Sequence, residues 1–156
     1  MYININKVNN FFKFIFYISV LFLIIISLYP GSLFGYLLYG DFSKQPQLVD
    51  NPYGASLNHF IFYFYISILG FIIYLKNENF NNIIYGLLFL SIILEVIHFI
   101  IPNRSFQISD LFGNILGVTV AYFAVKIYLL ITKSLTPTLN PVCNKKLLVI
   151  PCALFK

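Results

Sequence analysis

The 156-residue chain is 60% hydrophobic and only 10% charged, against roughly 25% charged residues in an ordinary soluble domain, which excludes a soluble monomer. A net charge of +5 could suggest nucleic acid, yet Lys126, Lys133, Lys145, Lys146 and Lys156, half of the ten Lys and Arg residues, lie at or beyond the end of the last hydrophobic segment. The excess is therefore a topology signal, and nucleic acid is not an expected partner.

In chain order, residues 1–10 read as a cytoplasmic N-terminus and residues 11–29 as the first membrane span, since about 20 apolar residues of helix cross a hydrocarbon core of about 30 Å. Lys7 and Lys13 ahead of this run resemble a signal peptide, but no small-x-small site follows Tyr29-Pro30-Gly31, so it reads as a retained span. A longer outer loop follows, and its stretch Ser32-Leu33-Phe34-Gly35-Tyr36-Leu37-Leu38-Tyr39 is too apolar to float in water. It reads as an interfacial or re-entrant segment, or as an aromatic belt at the membrane surface. Three further spans are expected at residues 57–75, 83–101 and 111–131, with a short polar turn after the second and a short turn containing Arg104 after the third.

The predicted fold class is thus an all-α membrane protein, a four-transmembrane-helix bundle with an interfacial outer loop, over residues 11–133. Backbone satisfaction in lipid makes the spans helices despite their many β-branched and aromatic residues. With the N-terminus inside, Lys7, Lys13, Lys76, Lys126, Lys133, Lys145, Lys146 and Lys156 fall on the cytoplasmic side and only Lys44 and Arg104 outside, so both termini are expected in the cytoplasm. The tail, residues 134–156, contains Pro137, Pro141 and Pro151 and reads as an irregular appendage. Its Cys143 and Cys152 lack metal-site spacing and are expected to be free thiols, and the ending is one residue too long for a prenylation box.

The polar residues concentrate at the outer face. Counting inward from the expected span ends, His98 and Asn114 fall about 4–5 Å deep and Glu95 and Gly117 about 9 Å deep, with Asn58 and His59 entering the same leaflet. Glu95 and His98 share one helical face (i, i+3), and Asp110, Asn114 and Gly117 share another (i, i+4, i+7). The short turn makes the third and fourth spans antiparallel neighbours, so these faces can meet, and Gly113-x-x-x-Gly117 permits close packing there. A purely structural account pairs Arg104 with Asp110 or Glu95 and lets Ser109 or Asp110 cap the fourth span. Against it, an acid inside hydrocarbon costs a few kcal/mol, and such residues default to function.

The motifs Glu95-x-x-His98, Pro102-x-Arg104 and Asp110-x-x-x-Asn114-x-x-Gly117, with His59-Phe60-x-x-Tyr63-Phe64 earlier, resemble the VanZ-like family, small bacterial membrane proteins named after a teicoplanin-resistance protein. The likeness is concentrated between Glu95 and Gly117 and extends more loosely from Ala55 to about Thr132. Two positions depart from the family pattern: Ala55-Ser56 stands where an Asp-Lys pair is usual, and His98 stands for Gln, adding a titratable group. The resemblance implies a bacterial cell-envelope context and a polar site at His59, Glu95, His98, Arg104, Asp110 and Asn114. It implies no settled reaction.

The expected function is therefore non-catalytic binding of a lipid headgroup or cell-wall precursor at the outer face, with an effect on glycopeptide sensitivity. Arg104 would donate to the anion, Asn114 would orient it, and Glu95 and Asp110 would hold both. The alternative is an enzyme on a lipid-linked substrate, with His59 or His98 as acid or base; a proton-coupled transporter relaying through Glu95 and His98 is a third reading. No nucleophile elbow, HExxH or phosphate-binding loop is present. No cofactor is expected, and His59, His98, Glu95 and Asp110 lack a diagnostic metal-ligand spacing.

Overall fold

The computed structural model describes residues 5–44, 46 and 54–135. It contains α1 (Ile5–Leu28), α2 (Leu33–Tyr39), α3 (Gly54–Tyr74), α4 (Phe80–Ile97) and α5 (Ile108–Leu135). Among the described residues, four helices are long and apolar enough to cross a membrane: Asn9–Leu28, Ser56–Tyr74, Phe80–Ile97 and Ile108–Lys133. This is an all-α, multi-pass membrane protein. The expectations for Cys143, Lys145, Lys146, Cys152 and Lys156 concern a tail that lies outside the described residues.

Where the helices stop follows from local chemistry. Pro30 disfavours helical backbone at Tyr29, and Gly31, at φ 79°, turns the chain. Ser32 then caps α2 by accepting a hydrogen bond from Gly35 N at 2.9 Å. Gly40, at φ 68°, closes α2 in the left-handed conformation, its N–H bonded to Tyr36 O at 2.8 Å. Ser32 N also bonds Phe42 O at 2.7 Å, and the Phe42 ring stacks on Tyr36 at 4.2 Å, so the segment folds back on itself. The apolar stretch expected to hug the interface is thus a short helix, with Tyr36, Leu37, Leu38 and Tyr39 exposed.

The third span ends earlier than hydropathy suggests, at Ile97 and not at residue 101. Beyond it the chain coils through successive i→i+3 bonds, His98 N to Glu95 O, Phe99 N to Val96 O and Ile100 N to Ile97 O. Pro102 bars a return to α-helix. Asn103, at φ 59°, completes the turn.

Between 11% and 28% of each span is buried within the protein, too little to hide the large apolar side chains. Phe14, Phe89 and Phe123 face outward, whereas Ser67, Ser91, Glu95, His98, Asp110 and Asn114 are buried. That inversion suits a lipid solvent, in which polar groups need an interior and apolar ones do not. Within Met1–Val125, one of two compact units, α1 packs on α3 and α4, and α3 on α4. Phe16 fills the α1–α3 contact edge-on to Tyr74, beside a Tyr17–Tyr74 hydroxyl bond of 2.6 Å. In the other unit, Lys126–Lys156, Thr132 Oγ1 bonds back to Tyr128 O at 3.0 Å and Leu129 O at 3.1 Å.

Candidate functional site

All six polar residues singled out in the sequence, His59, Glu95, His98, Arg104, Asp110 and Asn114, belong to the first unit and gather at one end of it. The gathering rests on a close α3–α5 contact. A Cβ on Gly113 would lie 2.5 Å from Ser56 O, and one on Gly117 would lie 2.6 Å from Phe60 O and 2.9 Å from Phe64 N. Only glycine lets the two backbones approach this far. The expected close contact at Gly117 is real, but its partner is the second span and not the third.

That approach brings the i, i+3, i+7 positions Ser56, His59 and Tyr63 of α3 to the face of α5 carrying Asp110, Asn114 and Gly117. Ser56 Oγ donates to Asp110 Oδ1 at 2.9 Å. His59 Nδ1 meets Asn114 Oδ1 at 3.0 Å, and His59 Nε2 lies 3.6 Å from Asp110 Oδ2. Amide oxygens only accept, so Nδ1 carries the proton and donates.

Glu95 joins α4 to the start of α5. Its Oε1 accepts from Gln107 N, the residue just ahead of α5, at 2.9 Å, and faces His98 Nδ1 at 3.4 Å. The capping expected of Ser109 or Asp110 is therefore supplied in part by a carboxylate from the neighbouring helix, while Asp110, in the first turn of α5, spends its side chain on α3. A carboxylate there also suits the positive end of the helix dipole. Because α4 ends at Ile97, Glu95 lies only about 3 Å from its end, shallower than the 9 Å inferred from hydropathy. It is nonetheless 1% exposed. Among the described residues its Oε2 has no hydrogen-bond partner, nor has the Tyr63 hydroxyl; an unpaired buried polar atom costs about 1–3 kcal/mol, and more if charged.

Arg104 departs most from expectation. It ion-pairs with neither acid and closes the end of α1, Nη2 donating to Ile26 O at 3.0 Å and Nε to Tyr29 O at 3.4 Å. These are carbonyls a helix C-terminus leaves unsatisfied. Burial pulls the Arg104 pKa below its usual value, with Glu95 and Asp110 acting in the opposite direction; the guanidinium stays charged. His98 likewise reaches α1, Nε2 donating to Ser27 O at 3.1 Å. The two histidines, and not the arginine, are the immediate partners of the carboxylates.

Two cavities adjoin here. One, of about 360 Å³, is polar and is lined by Asp110, Asn103, Ser105 and Gln107. The other, of about 100 Å³, is apolar and is lined by Leu23, Ile26, Leu33, Phe34, Phe62 and Tyr63. Ser32, His59, His98 and Arg104 line both. Ser56, Tyr63 and the α1 carbonyls are site components that the sequence reading missed; the helical spacing of Ser56 and Tyr63 about His59 was the available signal.

Compared with protein-family models, curated proteins and solved structures, the chain matches none.

Proposed function

We propose that this chain is a VanZ-like protein of the bacterial cytoplasmic membrane, with both termini inside, that binds an anionic lipid headgroup or lipid-linked cell-wall precursor at its extracytoplasmic face and thereby affects glycopeptide sensitivity. The observation that carries this reading is the pair of cavities of opposite polarity meeting at Arg104, His59 and His98. An amphiphile presents that combination, a phosphate-bearing head next to an apolar chain. Of the five N–H donors of a guanidinium, those on Nε and one on Nη2 are held by α1 carbonyls, which aims the group and leaves donors for an anion. The basic-residue asymmetry, eight against two, supports the orientation.

Native mass spectrometry of the protein released from mild detergent tests the reading. Retention of one phosphate-bearing lipid class, depleted in Arg104→Gln while zwitterionic lipid is unaffected, is the expected result. Equal retention of anionic and zwitterionic lipids by wild type and variant would refute it.

A further inference from the structure

We infer that His59, Glu95 and Asp110 form a binding site for one divalent transition-metal ion, with Zn²⁺ the best fit. One ligand-capable atom from each residue lies within 4.8 Å of the others, although the three come from three different helices. The inference stands apart from lipid binding and does not require it.

The hydrogen bonds at the site follow one pattern. Each side chain has one polar atom held by a hydrogen bond and a second that makes none among the described residues. On His59, Nδ1 is engaged by Asn114 and Nε2 is left; on Asp110, Oδ1 is engaged by Ser56 and Oδ2 is left. On Glu95, Oε1 is engaged by Gln107 N and Oε2 is buried without a partner. Metal-binding histidines almost always donate their other ring N–H to an oxygen, and ligating carboxylates are themselves hydrogen-bonded. Asn114, Ser56 and the Gln107 amide supply that outer set.

The His59 Nε2–Asp110 Oδ2 separation argues the same way. With Nδ1 donating to Asn114, Nε2 is the ring atom turned toward a carboxylate oxygen, and 3.6 Å is too long for a good hydrogen bond. A cation between the two, either a metal ion or the imidazole's own second proton, is what this geometry takes. Bonds of about 2.1 Å at the tetrahedral angle place ligand atoms about 3.4 Å apart, so this pair already has the required spacing. A tetrahedral ion would draw the ligand atoms in from separations of up to 4.8 Å to about 3.4 Å.

An imidazole with two carboxylates disfavours Mg²⁺ and Ca²⁺, which take oxygen, and lacks the thiolates that select copper(I). Three protein ligands leave a fourth zinc position open. His59 and Asp110 line the polar cavity, so that position opens beside Arg104, where an anionic oxygen could complete the shell.

The test uses the full-length, untagged protein with Cys143→Ser and Cys152→Ser, so that tail thiols cannot take the metal. After exposure to micromolar Zn²⁺ and removal of the excess, elemental analysis should give one zinc per chain. X-ray absorption should show only nitrogen and oxygen neighbours, with a single imidazole; this measurement needs no site variant to fold. Asp110→Asn and His59→Ala should bring zinc below a tenth of the wild-type content. Asn114→Leu should weaken it about 10–100-fold, and Asp41→Asn should leave it unchanged. No retained zinc, two imidazoles in the shell, or undiminished zinc in both ligand variants would each overturn the inference. A metal-free protein that still retains anionic lipid would leave the lipid-binding reading intact, and the reverse result would separate the two in the other direction.

Discussion

Adding one methyl group at Gly113 or at Gly86 should have opposite consequences. At Gly113 the new Cβ would lie 2.5 Å from Ser56 O, whereas at Gly86 nothing lies within 4 Å. Since comfortable contacts begin near about 3.5 Å, Gly113→Ala must part α3 and α5 by roughly 0.5–1 Å, and both sides of the contact are helix, which cannot yield locally. The Ser56–Asp110 and His59–Asn114 bonds, at 2.9 and 3.0 Å, bridge these same helices, and that displacement carries them to or past the hydrogen-bonding limit. Overpacking costs about 1–3 kcal/mol, and two weakened bonds add about 1 kcal/mol each. The helix-propensity gain of alanine over glycine returns about 1 kcal/mol. The net expectation is a loss of about 2–4 kcal/mol for Gly113→Ala and a change between zero and a gain of about 1 kcal/mol for Gly86→Ala. Thermal unfolding in one detergent, followed by helical signal for both variants side by side, reads the difference. A Gly113→Ala protein as stable as Gly86→Ala would refute the close-contact argument.

Gly117→Ala, facing Phe60 O at 2.6 Å, should lower the unfolding midpoint much as Gly113→Ala does, checked in the same melts. Arg104→Gln should cost about 1–3 kcal/mol, because it strips charged donors from the Ile26 and Tyr29 carbonyls, and Arg104→Lys should recover part of that; chemical denaturation in detergent resolves the three proteins. In double-mutant cycles, Glu95→Gln should couple with His98→Leu by about 1–3 kcal/mol and much less with Arg104→Gln, because the contact is made by the histidine; additive effects for Glu95 with His98 would contradict the assignment. A single cysteine replacing Asn103, in a chain lacking Cys143 and Cys152, should react with a membrane-impermeant thiol reagent in intact cells, whereas one replacing Asn144 should not; the opposite labelling pattern would reverse the proposed orientation.

The existence and approximate length of the spans were legible because each is a run of apolar residues long enough to cross a bilayer, and apolar length is the property lipid selects. The end of the third was not. Phe99, Ile100 and Ile101 continue the hydropathy, but they lie in tight turns ahead of Pro102, with Phe99 and Ile100 strongly exposed. Hydropathy measures what a segment tolerates around it and not whether its backbone remains helical. The site was legible as a set, since helical period placed Asp110 with Asn114 and Glu95 with His98. Its pairings were not legible. A Gly-x-x-x-Gly motif announces a close neighbour without naming it, and the nearer helix was α3. Arg104 was expected to seek the acids, yet the last carbonyls of α1 lay within its reach. That contact depends on how α1 ends at Tyr29-Pro30-Gly31, a tertiary detail with no periodic signature.

In the proposed reading the same residues serve both stability and binding, and the division runs between atoms of single side chains. Ser56–Asp110 and His59–Asn114 tie α5 to α3, Gln107–Glu95 ties its start to α4, and His98 and Arg104 tie this end to α1. Fastening alone would account for a polar cluster in a membrane protein, because interhelical hydrogen bonds take the place of the hydrophobic drive that lipid removes. It would also favour groups that fastening exhausts, such as serine, asparagine and glutamine. Glutamine at position 95 could keep the bond from Gln107 through its oxygen without burying a carboxylate. The chain has glutamate instead, with Oε2 unpaired among the described residues, in a cluster with His59 and Asp110. Packing gives no reason for an unpaired carboxylate oxygen beside an imidazole and a second carboxylate, whereas the proposed cation would, and at the junction of a polar and an apolar cavity the proposed amphiphile's headgroup would lie next to it.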